Sequence, residues 1–401
     1  MKLIFFAAFY LFHLGAFGQY TWVRKNDFLG GARFHAVSVT VENKALLGLG
    51  NTSTIGYQDW WLYDQAGDVW TQLSDFPAGP RVSAISFSID SIAYVGTGFN
   101  SVTTQYTDDL WAYSLVTNSW SQKASMGTIG RVRAASFSIG RFGYVLTGED
   151  NNMTNFFKND VWKYNSDSDS WQQLSDFPGV PRSFATGLSL NGKGYLACGG
   201  QETFPYDNNE LWCFDTTNNS WTQKTPLPGL ARQAAVGWTS NNSLFFGFGF
   251  NSLFNLELND FLSYNSDSNS WVQLDTIPLP GIQRGSAFTL GNLMYFATGV
   301  SSTQFYDQLW LAMPDSLNTI PELEEEHIKI FPQPADQFLF ISNDIRDNAI
   351  VTIYSMTGET VLSTEINFGK QTIDIRHLHP GTYLIQMHLK NKRFAGKIVI
   401  I

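Results

Sequence analysis

Six arginines recur along the chain, each at the start of an Arg-x-x-Ala motif about ten residues after a tryptophan. They are Arg33, Arg81, Arg131, Arg182, Arg232 and Arg284. A guanidinium group binds a carboxylate or sulfate through paired hydrogen bonds, and it also stacks on flat rings. The repeated motif therefore predicts anion-binding groups held at equivalent places in a repeated structure.

Polar loops that follow these motifs carry aromatic residues. The candidates for ligand contact are Tyr57, Tyr106, Phe157, Tyr206 and Tyr306. Arginines surrounded by aromatic rings suit a ligand with an acidic group and a stackable ring, such as an acidic glycan or an acidic peptide. A second interpretation stays open, in which the arginines donate to carbonyl groups of neighbouring repeats and only brace the fold.

The elements that must position these residues are visible in the repeat itself. The segment from Trp70 to Arg81 reads WTQLSDFPAGPR, and the segment from Trp171 to Arg182 reads WQQLSDFPGVPR. Equivalent tryptophans recur every 48 to 51 residues, at Trp22, Trp70, Trp120, Trp171, Trp221 and Trp271. A period near 50 with four short strand-like runs, each bounded by turn residues, predicts an all-β fold, a β-propeller.

These motifs resemble kelch repeats, in the broad group of galactose-oxidase-like propellers, over residues 20 to 313. The array opens on an unpaired fourth strand, YTWVRK, and ends on an unpaired third strand, DQLWLAM. We therefore expect a six-bladed propeller closed by the N-terminal strand, which leaves no exposed sheet edge. Strand direction places the six arginines and the longest loops at one channel mouth, and the resemblance implies that such arginines line a binding pocket.

Metal oxidation is disfavoured by the residues available. Copper chemistry of the galactose-oxidase kind needs two histidines, whereas residues 19 to 315 contain only His35. No nucleophile motif or phosphate-binding loop is present, so we predict no catalytic residue, no metal and no cofactor.

Acid–base catalysis by loop carboxylates remains the enzymatic alternative. The candidates are Asp109, Glu149, Asp150, Asp160, Glu202, Asp207, Glu210 and Asp260. Some proteins that these repeats resemble act without a cofactor as sugar-acid epimerases or mutarotases, so a sialic-acid-like substrate is the alternative to a simple binding module.

Composition and the N-terminus bear on location and partners. The net charge of −10 over 401 residues argues against nucleic acid, whose phosphates require a basic surface. Lys2, an apolar run of about 16 residues, and Ala16 and Gly18 predict a signal peptide over residues 1–18. That run is short for a membrane span of about 20 residues, so we expect an exported, monomeric protein with no transmembrane span.

Two cysteines, Cys198 and Cys213, fall on neighbouring strands of the predicted repeat. Export permits a disulfide bond between them. Two unpaired buried thiols are the alternative.

After Pro314 the repeat ends, and an acidic linker over residues 315–326 leads to seven alternating apolar runs in residues 327–401. Seven short strands predict a small Ig-like β-sandwich. The segments IKIFPQPADQFLFI, YSMTGETV, IDIRHLHPGTYLIQM and GKIVII resemble the type A C-terminal sorting domain of the type IX secretion system. The residues that carry this resemblance are Pro332, Pro334, Gly358, Gly381, Tyr383 and Lys397.

The resemblance implies that the type IX secretion machinery is a partner. It also implies a product that is secreted, or attached to the outer surface of a Gram-negative bacterium, after passage through the periplasm. Together with the propeller over residues 19–314, the sequence predicts a secreted or cell-surface module that binds carbohydrate or protein.

Overall fold

The computed structural model of the chain describes residues 20–152, 156–274, 276–314, 328–331, 335–343, 349–355, 360–366, 369–389 and 392–400. Within these residues the regular structure consists of β-strands with no helix, which confirms the all-β prediction. Two compact units divide the chain, Met1–Pro314 and Asp315–Ile401. The predicted signal peptide (1–18) and linker (315–326) lie outside the described residues.

The first unit contains strands β1 to β29. In chain order they are β1 (Tyr20–Lys25), β2 (Val37–Val41), β3 (Lys44–Gly48), β4 (Trp60–Asp64), β5 (Val69–Gln72), β6 (Arg81–Val82), β7 (Ile85–Ile89), β8 (Ile92–Gly96), β9 (Phe99–Asn100), β10 (Gln105–Tyr106), β11 (Leu110–Ser114), β12 (Ser119–Lys123), β13 (Ala135–Ile139), β14 (Phe142–Leu146), β15 (Val161–Asn165), β16 (Ser170–Gln173), β17 (Thr186–Leu190), β18 (Lys193–Ala197), β19 (Leu211–Asp215), β20 (Ser220–Lys224), β21 (Val236–Ser240), β22 (Ser243–Gly247), β23 (Phe250–Asn251), β24 (Leu256–Glu257), β25 (Phe261–Asn265), β26 (Ser270–Leu274), β27 (Ser286–Leu290), β28 (Leu293–Ala297) and β29 (Leu309–Pro314).

Four-stranded antiparallel sheets recur through this unit. In chain order they are β2-β3-β4-β5, β7-β8-β11-β12, β13-β14-β15-β16, β17-β18-β19-β20, β21-β22-β25-β26 and β27-β28-β29-β1, which we number sheets 1 to 6. In sheet 6, the N-terminal strand β1 pairs with β29, so that Tyr20 lies opposite Pro314 and Lys25 opposite Leu309. The first strand of each sheet, which we call the inner strand, contacts the inner strands of the sheets before and after it, and β27 contacts β2.

Small and hydroxylated residues let the inner strands approach one another. Ser86 Oγ donates to the carbonyl of Ser38, and Ser136 Oγ donates to the carbonyl of Ser86, both over 2.9 Å. Ser38 Oγ donates in turn to the carbonyl of Ala287 in sheet 6, over 2.7 Å. Each hydroxyl thus satisfies a carbonyl group of the neighbouring sheet, as buried polar groups require.

Four of the six repeated tryptophans donate a hydrogen bond to the preceding sheet, namely Trp70, Trp120, Trp171 and Trp271, whereas Nε1 of Trp22 and of Trp221 is buried without a partner in the described chain. Trp120 Nε1 donates to the carbonyl of Ser74, and Trp171 Nε1 donates to the carbonyl of Ala124, over 2.9 and 2.8 Å. The ring of Trp120 also packs edge-to-face on Phe76, with centroids 5.1 Å apart. The repeated WTQLSDF pattern therefore supplies both the apolar area and the hydrogen bond between adjacent sheets.

A glycine ends the second strand because the backbone there leaves no room for a side chain. Gly98 has a φ of 89°, and a Cβ at this position would lie 2.8 Å from the carbonyl oxygen of Val82. Gly148 repeats the arrangement, with a φ of 93°. An L-residue would be strained at both positions and would also clash with the backbone just before the first strand of its own sheet.

In its described residues the second unit has seven strands, one in each predicted run. They are β30 (Ile328–Phe331), β31 (Phe338–Asn343), β32 (Ala349–Ser355), β33 (Thr360–Ile366), β34 (Gly369–Asp374), β35 (Gly381–Leu389) and β36 (Lys392–Ile400). They form two antiparallel sheets, β30-β31-β34 and β33-β32-β35-β36. Buried side chains of both sheets, among them Leu339, Val351 and Ile385, form one apolar cluster.

Candidate functional site

Each inner strand is preceded by a four-residue leader. The six leaders are residues 33–36, 81–84, 131–134, 182–185, 232–235 and 282–285. The glycine that ends the second strand of one sheet donates its N–H to the first leader residue of the next, as Gly98 does to Arg131 over 2.7 Å. In sheet 5 the same bond runs from Gly249 to Ile282, over 2.9 Å. Ile282, rather than Arg284, is therefore the sixth equivalent of the repeated arginines.

The five arginines at the first leader position are buried, with exposed fractions of 0 to 2%. Each pairs with a carboxylate at the start of the third strand of its own sheet. The pairs are Arg33–Asp59 (2.5 Å), Arg81–Asp109 (2.6 Å), Arg131–Asp160 (2.6 Å), Arg182–Glu210 (2.5 Å) and Arg232–Asp260 (2.5 Å). This placement differs from the expectation that all six arginines ring the channel mouth.

Each of these arginines also donates to a backbone carbonyl 16 residues later. Arg81 Nη1, for example, donates to the carbonyl of Thr97 over 2.7 Å, and Arg131 Nη1 donates to the carbonyl of Thr147 over 3.1 Å. Burial disfavours ionisation of Asp109, but its hydrogen bonds with Arg81 and that cation's charge outweigh burial and hold the pKa below its ordinary value. These contacts agree with the second interpretation of the sequence, in which the arginines stabilise the fold.

Two positions further along each leader, the side chains turn toward the propeller axis. These third leader residues are His35, Ser83, Arg133, Phe184, Ala234 and Arg284, and all have a left-handed φ of 53° to 58°. Backbone hydrogen bonds join them in series, from Arg133 to Ser83, Phe184 to Arg133, Ala234 to Phe184, Arg284 to Ala234 and His35 to Arg284. With the small residues that follow them, they line a cavity of about 140 Å³, which we call the axial cavity.

Two guanidinium groups of the axial cavity approach a single ring. The Cζ atoms of Arg133 and Arg284 lie 4.6 and 5.2 Å from the centroid of the Phe184 ring. Arg133 forms an ion pair with the buried carboxylate of Glu149 over 2.6 Å. The side chain of Arg284 has no hydrogen-bond or ion-pair partner within the part of the chain that is described, and its Nε is buried.

Two cations, Arg133 and Arg284, and one carboxylate, Glu149, set the electrostatic environment at this cavity. Burial, and then the charge of Arg133, lower the pKa of Arg284. Burial, followed by the charges of Arg284 and Arg133, lowers the pKa of His35 well below its ordinary value. His35 Nδ1 contacts Asn51 Oδ1 over 3.3 Å, so the neutral imidazole donates from Nδ1 and leaves Nε2 unprotonated.

The aromatic residues predicted to contact ligand are dispersed. The ring of Tyr57 covers the buried guanidinium of Arg33, with Cζ 3.7 Å from its centroid. Tyr306 is buried in the core and its hydroxyl contacts Ser301, whereas Tyr106 and Phe157 are half-buried. Tyr206 is 48% exposed on its loop. None of these five lines the axial cavity, and their roles in ligand binding stay predictions.

The two cysteines are both buried and free, so the predicted disulfide bond is not formed. Cys213 lies directly opposite Tyr195, three residues before Cys198. At a strand rise of about 3.3 Å per residue, the two Cα atoms are offset by about 10 Å, beyond the reach of a disulfide. Burial raises the pKa of the Cys198 thiol to about 12.

Four of the loop carboxylates that the sequence offered as acid–base candidates are in ion pairs with arginines at the first leader position. Asp109, Asp160, Glu210 and Asp260 belong to the buried arginine pairs described above. Among described residues, no group of three or more His, Cys, Asp or Glu side chains is arranged to hold a metal ion. Glu149 stands apart because its Oε2 is buried without a hydrogen-bond partner.

The sorting-domain residues lie in the second unit. Gly381 and Tyr383 are in β35, where the Tyr383 hydroxyl donates to the carbonyl of His379 over 2.9 Å. Lys397 is in β36, opposite Leu384. Pro332, Pro334 and Gly358 lie outside the described residues.

Sequence reasoning did not identify Arg133 as a site residue, and it aligned Arg284 with the wrong repeat position. The spacing from tryptophan carried the missing signal, since it is 11 residues in the first five repeats, and 11 residues after Trp271 is Ile282. The third leader position holds five different residue types in the six repeats, and only arginine occurs twice, so no repeated motif marks it.

The fold and the axial cavity define a β-propeller, and comparisons with known proteins identify its family. The KLHDC2/KLHL20/DRC7 Kelch-repeats domain matches residues 91–299, and the chain belongs to the kelch-repeat family. A solved structure titled "Structure of YjhT" aligns with a TM-score of 0.61 at 21% identity, over 73% of this chain and 98% of that one. No match was found among the curated proteins.

The second unit matches the secretion system C-terminal sorting domain over residues 329–401. The chain is therefore directed by the type IX secretion system to the cell surface or the extracellular space, as the sequence predicted. In the described residues no helix has the length and apolar character needed to span a membrane.

Proposed function

We propose that this exported kelch propeller is a recognition module that binds an acidic glycan through the axial cavity. The observation that carries the proposal is the guanidinium group of Arg284, which shares the Phe184 ring with Arg133 and, unlike Arg133, has no carboxylate within ion-pair distance among the described residues. An uncompensated charge in a partly buried site is costly, and a bound anion removes that cost. A ligand carboxylate would bridge Arg284 and Arg133.

The axial cavity, of about 140 Å³, would take the acidic end of the ligand. A further space of about 310 Å³ along the inner strands shares its lining residues Ala36, Ala84, Ala134, Ala185, Ala235 and Gly285. Secretion brings this surface into contact with extracellular polysaccharide. A protein partner that inserts one acidic side chain into the cavity is the competing outcome of the test.

The test is a glycan array, followed by calorimetry, on the full chain and two arginine variants. Arg284→Ala should weaken binding of acidic glycans by about tenfold to a hundredfold, since a charge-assisted pair contributes about 1.5–3 kcal/mol. The matched control is Arg141→Ala, because Arg141 is exposed and pairs with Asp167. No binding of acidic glycans by the unmodified chain, or equal binding by both variants, would refute the proposal.

A second candidate function is cofactor-free isomerisation of a sugar acid, favoured by the unpartnered buried Oε2 of Glu149. This carboxylate lies against Arg133, which would hold the substrate, and it could exchange a proton with the anomeric hydroxyl. Proton NMR of anomer interconversion in N-acetylneuraminic acid tests this function. Catalysis above the buffer rate that Glu149→Gln removes would support it, and a rate equal to buffer would exclude it.

The finer architecture is also our proposal. The pairing of β1 with β29 and the cyclic contacts of the inner strands support a six-bladed, galactose-oxidase-like propeller closed by its N-terminal strand. The two sheets of the second unit support an Ig-like sandwich over residues 327–401. We further propose a signal peptide over residues 1–18, a monomeric propeller over 19–314 and a linker over 315–326, which N-terminal sequencing and light scattering of the secreted protein would test.

A further inference from the structure

Exposed aromatic side chains are confined to one region of the propeller surface. Across the described chain, the three that are largely exposed are Phe204 (69%), Tyr206 (48%) and Phe254 (63%). Phe204 and Tyr206 lie in the loop between β18 and β19, and Phe254 lies in the loop between β22 and β25, beside Leu253 (48% exposed). We call Phe204, Tyr206, Leu253 and Phe254 the aromatic platform.

Hydrogen bonds join the two platform loops. Asp207 is fully buried, and it accepts hydrogen bonds from Ser252 N and Ser252 Oγ over 2.5 and 3.0 Å. The rings of Phe204 and Tyr206 contact each other edge-to-face, with centroids 6.1 Å apart. A buried carboxylate that links adjacent loops costs desolvation, and it holds the two loops that carry the rings next to each other.

The platform is also continuous with the wall of the axial cavity. Gln233 Nε2 donates to Ser252 Oγ over 2.9 Å, and Gln233 immediately precedes Ala234, which lines the cavity. The backbone of Gln233 bridges to Phe250 at the start of the second platform loop. A ligand whose acidic end occupies the cavity must leave it across the rim, and this part of the rim carries the exposed rings.

We propose that the aromatic platform is a second sugar subsite, which binds the unit next to the acidic sugar held by Arg133 and Arg284. A pyranose ring presents an apolar face of C–H groups that packs on aromatic faces and removes them from water. This inference rests on the proposed function, and it specifies the ligand as an acidic oligosaccharide rather than a free acidic monosaccharide. Large exposed apolar rings mark binding surfaces. Within the described chain, no other segment covers these rings.

The experiment compares single acidic sugars with the same sugars at the end of a longer chain, using glucuronic, galacturonic and N-acetylneuraminic acid. The full-length protein should bind the longer chain more tightly. The double variant Phe204→Ala, Phe254→Ala should bind it about tenfold more weakly, as expected for lost ring contacts, and should bind the single sugar unchanged. Arg284→Ala should weaken the binding of both the single sugar and the longer chain.

Val116→Ala is the matched control, since Val116 is 87% exposed in the turn between β11 and β12, at the opposite end of the strands. Equal affinity of the double variant and the unmodified chain for the longer glycan would overturn the platform and leave the axial site intact. Loss of binding only on Arg284→Ala has the same meaning. If no acidic glycan binds the unmodified chain, both proposals are wrong, whereas platform variants that lose only a protein partner overturn the platform as a sugar subsite.

Discussion

The imidazole of His35 stacks on the ring of Phe184, with centroids 5.7 Å apart and planes inclined by 18°. The two residues come from the leaders of sheets 1 and 4, and both line the axial cavity. The guanidinium groups of Arg133 and Arg284 lie near the same Phe184 ring. The cavity lining therefore combines an aromatic stack with two cationic groups.

Arg284→Ala should raise the pKa of His35. Burial and then the charge of Arg284 hold this pKa well below the ordinary value of 6.5, so removal of the Arg284 side chain removes the second of these causes. Histidine side-chain NMR across a pH titration measures the shift. Arg141→Ala should leave the His35 pKa unchanged, and an equal pKa in both variants would show that the two groups are not coupled.

Arg81→Ala should destabilise the propeller by about 3–5 kcal/mol, because it leaves the mostly buried carboxylate of Asp109 without its partner. Urea unfolding of the full chain, followed by tryptophan fluorescence, measures the loss. Arg24→Ala provides a comparison, since Arg24 and Asp27 form an exposed pair that contributes at most about 1 kcal/mol. Similar losses in the two variants would contradict the bracing role.

Stability should fall as the pH is lowered below about 5. Burial opposes ionisation of Asp109 and Asp160, but hydrogen bonds from Arg81 and Arg131 outweigh it and depress both pKa values. A carboxylate with a depressed folded-state pKa stabilises the protein above its unfolded pKa, and this contribution disappears as pH falls through the folded value. Urea midpoints across this range measure the effect, and Asp109→Asn should flatten the profile. An unchanged profile in that variant would contradict the assignment.

Sheet 6 lacks both members of the ion pair found in sheets 1 to 5. Ile282 is buried at the arginine position, and Gln308 stands at the carboxylate position, where it accepts a hydrogen bond from Trp310. Ile282→Arg alone should destabilise the fold by several kcal/mol, because it buries an unpaired charge. The double variant Ile282→Arg, Gln308→Asp should recover part of the loss, and a double-mutant cycle in urea measures this coupling. Purely additive effects would show that the two positions are not equivalent to the other pairs.

The repeat architecture was predictable because each repeat carries its own determinants. Trp120 and Trp171 bond to the preceding sheet, and Gly98 and Gly148 occur where a side chain would clash, so the same residue types recur at the same spacing. The tryptophans and glycines within one repeat predict its strands, and their recurrence along the sequence predicts the number of repeats.

The axial cavity was not predictable in the same way. The first and third leader residues are two positions apart, and only the left-handed backbone at the third position decides which side chain faces the axis. That conformation depends on hydrogen bonds between leaders of adjacent sheets, such as Phe184 to Arg133, which no single repeat encodes. The pairing of Cys198 and Cys213 could not be predicted either, because it depends on the exact strand register. Cys213 lies opposite Tyr195, not opposite Cys198.

The pairing of β1 with β29 joins residues 20–25 to residues 309–314, nearly the full length of the first unit. Contacts between such distant segments close a long loop and form slowly compared with hairpins inside each sheet. A chain that ends before residue 309 lacks β29, so β1 has no partner strand and sheet 6 keeps an open edge. Truncation at the end of this unit therefore disrupts the same sheet as truncation at its beginning.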